Sequence, residues 1–290
     1  MDVTASRTSE DLTVRPLDGT VVRALGDSLV VRVAAARLRA LGCVIEAGAA
    51  PPPPDAPAGW LGVVRAPFLS GDRLSGDRAL PECGIGWSGP VGVPMVNERD
   101  VQAACGIMHV HGRATGAPRA LRVDFASVCA GVLAAQAIAA GMLAVLRGGA
   151  PVRAATSVAQ AAALALTQYV AVATSDPGGP VPGTAGRTPP FRSADGAVFE
   201  IETFAAENWL AFWTALGVGR PAITAGWPSF QQRFATATCA LPPELRAAAA
   251  AHRYPAVRAA AHAAAVSIVA VHEGAARPMP ALPSPWRLRA

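Results

Sequence analysis

One long apolar segment most constrains what this chain can fold into. Residues 128–146 carry a single polar side chain, Gln136, and are rich in alanine and glycine. A segment of this length either crosses a membrane or forms a helix buried in a folded core. Asp124 lies just upstream, and neither end has the tryptophan or tyrosine belt that is typical of a membrane span. The pattern therefore favours a buried core helix, and we expect no membrane association.

The charge distribution limits which partners the chain binds. Its 25 basic residues are all arginine and outnumber the 20 acidic residues, which gives a net charge of +5. The arginines are scattered from Arg7 to Arg289 and form no basic stripe. Because a nucleic-acid-binding surface concentrates basic charge and interleaves it with aromatic residues, we expect no nucleic-acid partner. An anionic small molecule remains compatible with this charge.

The cysteines and the N-terminus indicate a cytoplasmic protein without a metal site. The five cysteines are odd in number and widely spaced, with no CxxC pair and no zinc-binding pattern. Reduced thiols of this kind are typical of cytoplasmic proteins. Residues 1–16 are polar and acidic and lack the apolar core of a signal peptide, so export is not expected.

Helical and strand-like segments alternate in the first part of the chain. With 290 residues, 52% of them hydrophobic and only 16% charged, the chain can bury a sizeable core. The spacing of apolar residues predicts helices at 32–41, 99–108, 125–147 and 152–173 and strands at 43–45 and 60–64.

A stretch rich in proline and glycine at 175–190 marks the expected domain boundary. The following segment, 191–202, predicts a β-hairpin around Asp195-Gly196, and an amphipathic helix near 209–216 comes next. Further predicted elements are helices at 243–251 and 255–265 and a strand at 266–271.

The loop CGIGWSGP at 83–90 contains three candidate ligand-binding glycines, Gly84, Gly86 and Gly89. Glycines in such a loop let backbone amides approach a phosphate or a thioester. A plain turn explains the loop equally well, and the third glycine of a dinucleotide-binding fingerprint is missing.

Two histidines, His109 and His111, flank Val110. The favoured interpretation is a pair of loop histidines at a helix end, because no carboxylate or cysteine stands beside them at ligand spacing. An extended His-x-His segment would instead place both rings on one face for metal or acid–base work.

Carboxylates are scarce in the central region, where Glu98, Asp100 and Asp124 lie near the glycine loop and the long helix. Asp124 either caps the N-terminus of that helix or takes part in catalysis, and both interpretations stay open. The sequence contains no G-x-S-x-G elbow, no P-loop and no H-E-x-x-H motif.

Several short motifs stand in a particular order along most of the chain. They are LGCVIE at 41–46, GWSGP at 86–90, QAACG at 102–106, the segment 118–131, FRSADG at 191–196, Trp209 and ALG at 215–217. In this order they resemble the family III CoA-transferases, the CaiB/BaiF group.

The resemblance implies an α/β fold in which a large Rossmann-like domain, built from N- and C-terminal parts, accompanies a small α+β domain. The implied boundaries are 1–185 for the large domain, 186–240 for the small domain and 241–290 for the part that returns to the large domain. The resemblance also implies an interlocked homodimer and acyl-CoA or other acyl-thioester substrates. Coenzyme A is then a moiety of the substrate, no cofactor is permanently bound, and transfer passes through an aspartyl-CoA thioester.

The chain departs from the family pattern at the catalytic position. Counting back four residues from Gly131 places Ser127 where the family has its aspartate, and Asp124 lies about one helical turn earlier. Racemases of the family use a His-Asp pair, and the matching positions here hold Asn97 and Glu98. Glu98 is therefore the leading candidate for a general base. A serine hydroxyl could accept an acyl group if a base activated it.

We therefore expect an acyl-thioester-processing enzyme of the family III type, diverged from CoA transfer toward isomerisation, epimerisation, dehydration or acyl transfer. Its expected catalytic residues are Glu98, Asp124, Ser127 and His109, and its expected ligand-binding residues are Gly84, Gly86, Gly89 and Asn97. The alternative is a non-catalytic homologue that binds a thioester or a partner enzyme. A short connector at 51–78, where the family carries CoA-contacting segments, favours that alternative.

Overall fold

A computed structural model describes residues 15–49, 51–52, 59–66, 81–150, 153–175 and 189–271. These residues form two compact units. The first unit holds the described residues up to 105 together with 122–165, and the second holds 106–121 together with the described residues from 166 onward.

The first unit contains a five-stranded sheet. Its strands are β1 (Val21–Leu25), β2 (Val44–Gly48), β3 (Trp60–Arg65), β4 (Glu82–Gly86) and β5 (Arg153–Ser157). Their order across the sheet is β2-β1-β3-β4-β5. The sheet is mixed, because β1 pairs in parallel with β2 and β4 with β5, whereas β3 runs antiparallel to both of its neighbours.

The helices of the first unit are α1 (Leu29–Ala40), α2 (Glu98–Ala104), α4 (Phe125–Leu146) and α5 (Val158–Ala165). Ser28 caps α1, because its side chain accepts a hydrogen bond from the backbone N–H of Val31. Helices α1 and α4 pack closely at Gly131, where an added Cβ would lie 2.6 Å from the Cβ of Val33. The backbone of α4 can approach α1 this closely only because Gly131 has no side chain.

Helix α4 contains the long apolar segment of the sequence. Its length and hydropathy would allow it to cross a membrane. In the first unit its buried face packs against α1, α5 and β4. The other elements of the first unit therefore cover one face of α4.

The second unit contains an antiparallel sheet of three strands and an aromatic core. The strands are β6 (Phe191–Arg192), β7 (Val198–Glu202) and β8 (Ser267–Ala270), in the order β6-β7-β8. The helices are α3 (Ile107–Gly112), α6 (Thr167–Ser175), α7 (Ala206–Ala215), α8 (Arg220–Thr236), α9 (Pro243–Ala251) and α10 (Tyr254–Ala263), with a 3-10 turn at Arg113–Thr115. Trp209 anchors the core, since its indole N–H donates to the Ile223 carbonyl at 2.9 Å and its ring lies 4.4 Å from that of Phe230.

Two of the predicted helices differ from the observed elements, and one observed helix was not predicted. The predicted helix at 152–173 contains strand β5 followed by α5 and α6, because residues 153–157 pair with β4 in register. The predicted helix at 99–108 is divided into α2 and α3, because Gly106 adopts a left-handed conformation with φ of +89°. Helix α8, which contains Pro228, has no counterpart among the predicted elements.

The position of the C-terminal segment also differs from the boundaries implied by the resemblance. Strand β8 pairs with β7, and Leu245 and Val257 lie in the same core as Trp209. The described residues from 241 onward therefore belong to the second unit rather than to the first. The physical reason is that β8 completes the sheet whose apolar face α9 and α10 help to cover.

Candidate functional site

A cleft of about 470 Å³ lies in the first unit, at the N-terminal ends of three helices. Its lining residues come from α1, α2 and α4 and from the ends of β3 and β4. They are Ser28, Leu29, Val30, Leu61, Trp87, Asn97, Glu98, Arg99, Asp124 and Ser127. The lining therefore includes three of the four predicted catalytic residues and one of the four predicted ligand-binding residues.

Asn97 begins α2 with a reciprocal pair of hydrogen bonds. Its Oδ1 accepts from the N–H of Asp100 at 2.9 Å, and Oδ2 of Asp100 accepts from the N–H of Val96 at 3.0 Å. This arrangement resembles a capping box, except that Asp100 accepts from the residue before the N-cap, and it ties the start of α2 to the preceding loop. It places Glu98, the first residue of α2, beside the N-terminus of α4.

The carboxylate of Glu98 accepts four hydrogen bonds, although only 7% of the residue is exposed. Oε1 accepts from the N–H of Ala126 at 3.0 Å and from the side-chain amide of Gln102 at 3.0 Å. Oε2 accepts from the N–H of Ser127 at 2.9 Å and from its hydroxyl at 2.6 Å. A buried carboxylate needs such partners, and the positive end of the α4 dipole stabilises it further.

Ser127 is 2% exposed, and both its backbone N–H and its hydroxyl are directed to Glu98. The resemblance places the family aspartate at this position. Here a carboxylate from α2 and a hydroxyl from α4 meet instead, within the first turn of α4.

Asp124 is the N-cap residue of α4, and its side chain is solvent-exposed. Its backbone carbonyl accepts the first helical hydrogen bond, from the N–H of Val128 at 3.0 Å. Its side chain makes no capping bond, even though aspartate is among the preferred N-cap residues. Asp124 therefore presents a carboxylate on the rim of the cleft.

The three predicted glycines are not among the residues that line the cleft. An added Cβ at Gly84 would lie 3.2 Å from the ring of Trp60, so this glycine makes room for a side chain of β3. Gly89 has a φ of +57°, and an added Cβ would lie 2.5 Å from Oγ of Ser157. At both positions the close neighbour is another part of the protein.

His109 lies on α3 in the second unit and is exposed. The extended His-x-His alternative is wrong, because Ile107–Gly112 is helical and residues two apart on a helix point to different faces. His111 contacts the backbone carbonyl of Arg119 through Nδ1 at 2.9 Å. Among the described residues, no group of three or more His, Cys, Asp or Glu side chains is arranged to hold a metal ion.

Cys129 lies in α4 close to the cleft and is half-buried. Burial raises the pKa of its thiol, and the Glu98 carboxylate raises it further. Because the reactive form of cysteine is the thiolate, this thiol is poorly suited to act as a nucleophile near neutral pH.

Gln102 is a site residue that the sequence prediction did not identify. It is fully buried, and its Nε2 donates to Oε1 of Glu98 at 3.0 Å and to the carbonyl of Val123 at 3.1 Å. The signal in the sequence is the spacing of four residues between Glu98 and Gln102, which places both side chains on one face of α2.

Two solved structures of one protein share the fold of this chain. Rv3272, a hypothetical protein from Mycobacterium tuberculosis, superposes with a TM-score of 0.60 at 17% identity, covering 90% of this chain and 86% of that one. An aspartate-to-alanine variant of Rv3272 gives a TM-score of 0.61 at 15% identity, covering 90% and 83%. A CaiB/BaiF family protein from Brucella suis gives a TM-score of 0.47 at 18% identity, covering 66% and 52%.

No curated protein matches the sequence significantly. The model of the family described as CoA-transferase family III matches residues 86–276, about two thirds of the chain. The matched region begins in the glycine loop and includes α2, α4 and the sheet of the second unit. This chain therefore belongs to CoA-transferase family III, and its α/β fold is that of the family.

Proposed function

We propose that this protein transfers coenzyme A between carboxylic acids, with the cleft at the N-terminus of α4 as the thioester site and Asp124 as the reacting carboxylate. The observation that supports the proposal is the exposed side chain of Asp124 on the rim of the cleft, beside a buried Glu98 whose carboxylate already accepts four hydrogen bonds. Membership of CoA-transferase family III supports a CoA-related reaction.

The proposed reaction begins with attack of an Asp124 oxygen on the thioester carbonyl of an acyl-CoA. The C–S bond breaks, CoA leaves as a thiolate, and a mixed anhydride remains on Asp124. The thiolate then attacks the aspartyl carbonyl of the anhydride, which releases the first carboxylate and leaves an aspartyl-CoA thioester. A second carboxylate reverses these steps and leaves as the new acyl-CoA.

The position of Asp124 suits this chemistry for an electrostatic reason. The oxyanion formed in each step develops near the N-terminus of α4, where the positive end of the helix dipole stabilises negative charge. Arg99, an exposed residue of the cleft lining, adds a positive charge in the same cleft.

Mass spectrometry of intact protein and of its peptides tests the proposal. After incubation with a panel of acyl-CoAs, we expect a CoA adduct on the peptide that contains Asp124, and exchange of label between acyl-CoA and free carboxylic acid. Asp124→Asn should abolish both. Asp18→Asn, which changes an exposed aspartate outside the cleft lining, is the matched control and should retain both. Adduct and exchange that persist in Asp124→Asn would overturn the assignment.

A second candidate function is thioester binding without turnover. The observation that favours it is the burial of the Ser127 hydroxyl in a hydrogen bond to Glu98, at the position where the resemblance places the family aspartate. Calorimetry with CoA and short acyl-CoAs separates the two candidates. Binding with no adduct and no exchange across the panel would support the second.

The proposal includes acyl-CoA substrates and an interlocked homodimer, as the family resemblance implies, and a cytoplasmic location, as the pattern of the cysteines predicts. Light scattering tests the oligomeric part. A solution mass of about twice the 29.5 kDa of one chain supports the dimer, and a mass equal to one chain removes it from the proposal.

A further inference from the structure

Helix α4 is capped by a residue from another helix. The first N–H groups of any α-helix lack partners within the helix, and the side chain of the N-cap residue usually accepts from one of them. In α4 the N-cap residue is Asp124, which makes no such bond. The N–H groups of Ala126 and Ser127 donate instead to the two carboxylate oxygens of Glu98.

The backbone conformation of Asp124 also differs from that of a residue whose side chain caps a helix. Its φ of −80° and ψ of 61° differ from the extended conformation that N-cap residues usually adopt. Asn97 and Ser28, which do cap their helices, have the extended conformation, with ψ of 170° and 154°.

Gln102 holds the Glu98 carboxylate in this position. Its amide donates to Oε1 of Glu98 and to the carbonyl of Val123, the residue before Asp124. The same amide thus fixes both the carboxylate and the strand of backbone that enters α4.

We infer that Glu98 is a positioning residue that caps α4 in place of Asp124. Because Glu98 supplies the cap, the Asp124 carboxylate stays exposed in the cleft. The role of the exposed Asp124 carboxylate rests on the proposed function. The cap exchange, by which we mean that Glu98 and not Asp124 caps α4, does not rest on it. Removal of Glu98 leaves two buried N–H groups without an acceptor, and Asp124 is the residue in the standard position to accept from them.

A double-mutant cycle on stability tests the exchange without any substrate. In the wild-type background, Asp124→Ala should leave the unfolding equilibrium in urea almost unchanged. In the Glu98→Ala background, the same Asp124→Ala change should raise the unfolding equilibrium constant about fivefold, the usual effect of a lost N-cap. Equal effects in the two backgrounds would overturn the inference.

If Glu98→Ala does not fold, Glu98→Gln takes its place in the double-mutant cycle. The amide retains one oxygen and almost the same volume, so one of the two N–H groups still has an acceptor. The coupling with Asp124→Ala should then be present but smaller. Complete additivity in this background would also overturn the inference.

Adduct formation separates the inference from the proposed function. In Glu98→Gln we expect the CoA adduct on Asp124 to form about two- to fivefold more slowly per folded molecule, because Asp124 spends part of its time as the cap. Coupled stabilities without any adduct in the wild type would retain the cap exchange and overturn the proposed function. An adduct of normal rate in Glu98→Gln, with additive stabilities, would retain the function and overturn the cap exchange.

Discussion

The hydroxyl of Ser127 donates a hydrogen bond of 2.6 Å to Oε2 of Glu98, and this bond joins helix α4 to helix α2. The two residues are 29 positions apart in the sequence. Both are buried, so the bond lies where solvent competes with it least. It can either hold the site together or pass a proton from the hydroxyl to the carboxylate, and substitution of Ser127 distinguishes these roles.

Ser127→Ala should lower the free energy of unfolding by about 1.5 kcal/mol, because Glu98 loses one of its four hydrogen-bond donors. It should leave the CoA adduct on Asp124 intact, since the proposed reaction does not use the hydroxyl. Urea denaturation and mass spectrometry measure the two effects. Ser175→Ala, an exposed serine at the end of α6, is the control and should change neither. Loss of all adducts in Ser127→Ala alone would indicate acyl transfer through the serine instead.

Gln102→Leu should be among the more destabilising single changes in the first unit. The leucine has a similar volume but leaves Oε1 of Glu98 and the carbonyl of Val123 each without one donor. The expected cost is about 1 to 3 kcal/mol of unfolding free energy. Gln136→Leu, an exposed glutamine on α4, should stay within about 0.5 kcal/mol of wild type. Thermal or urea denaturation that finds equal, small effects would contradict the positioning role of Gln102.

Gly131→Ala should destabilise the packing of α1 against α4. Alanine gains about 1 kcal/mol over glycine in helix propensity. The added Cβ, however, would lie 2.6 Å from the Cβ of Val33 and 2.7 Å from the carbonyl oxygen of Val30, so the two helices must separate. We expect the steric cost to exceed the propensity gain and the midpoint of thermal unfolding to fall. Ala140→Val, on the exposed side of the same helix, should change the midpoint much less, and a rise for Gly131→Ala would refute the close packing.

Individual strands and helices could be predicted where a short stretch of sequence carries one strong signal. Asp195-Gly196 between alternating flanks predicts the hairpin, and β6 and β7 are paired there. The long apolar segment predicts α4 almost to its ends. Strand β5 could not be predicted, because residues 153–157 show no alternation and become a strand only through parallel pairing with β4.

The sequence pointed to some residues that line the cleft, and it did not predict how they are arranged. Counting along the motifs identified Glu98, Asp124 and Ser127, and the structure brings all three to one cleft. Which residue caps α4 is decided by packing between α2 and α4, and neighbouring residues in the sequence carry no signal for it. The same limit applies to His109, which lies only 11 positions after Glu98 and yet belongs to the other unit.

Acid should weaken the second unit through Asp195, the hairpin residue. The Ser193 hydroxyl donates to Oδ1 of Asp195 at 2.6 Å, and the N–H of Tyr254 at the start of α10 donates to the same oxygen at 2.8 Å. The bond from Ser193 contributes most to holding the pKa of Asp195 below its usual value, with further contributions from the Tyr254 N–H and the Arg253 charge. A carboxyl whose pKa is lowered by folding stabilises the folded state above its unfolded pKa, near 3.9, and this contribution disappears as the pH falls through the folded value. We therefore expect Asp195→Asn to lower the urea midpoint at pH 7 and to reduce the dependence of that midpoint on pH below about 4. Asp18→Asn is the control and should do neither. Parallel pH profiles of the midpoint for wild type and Asp195→Asn would contradict this expectation.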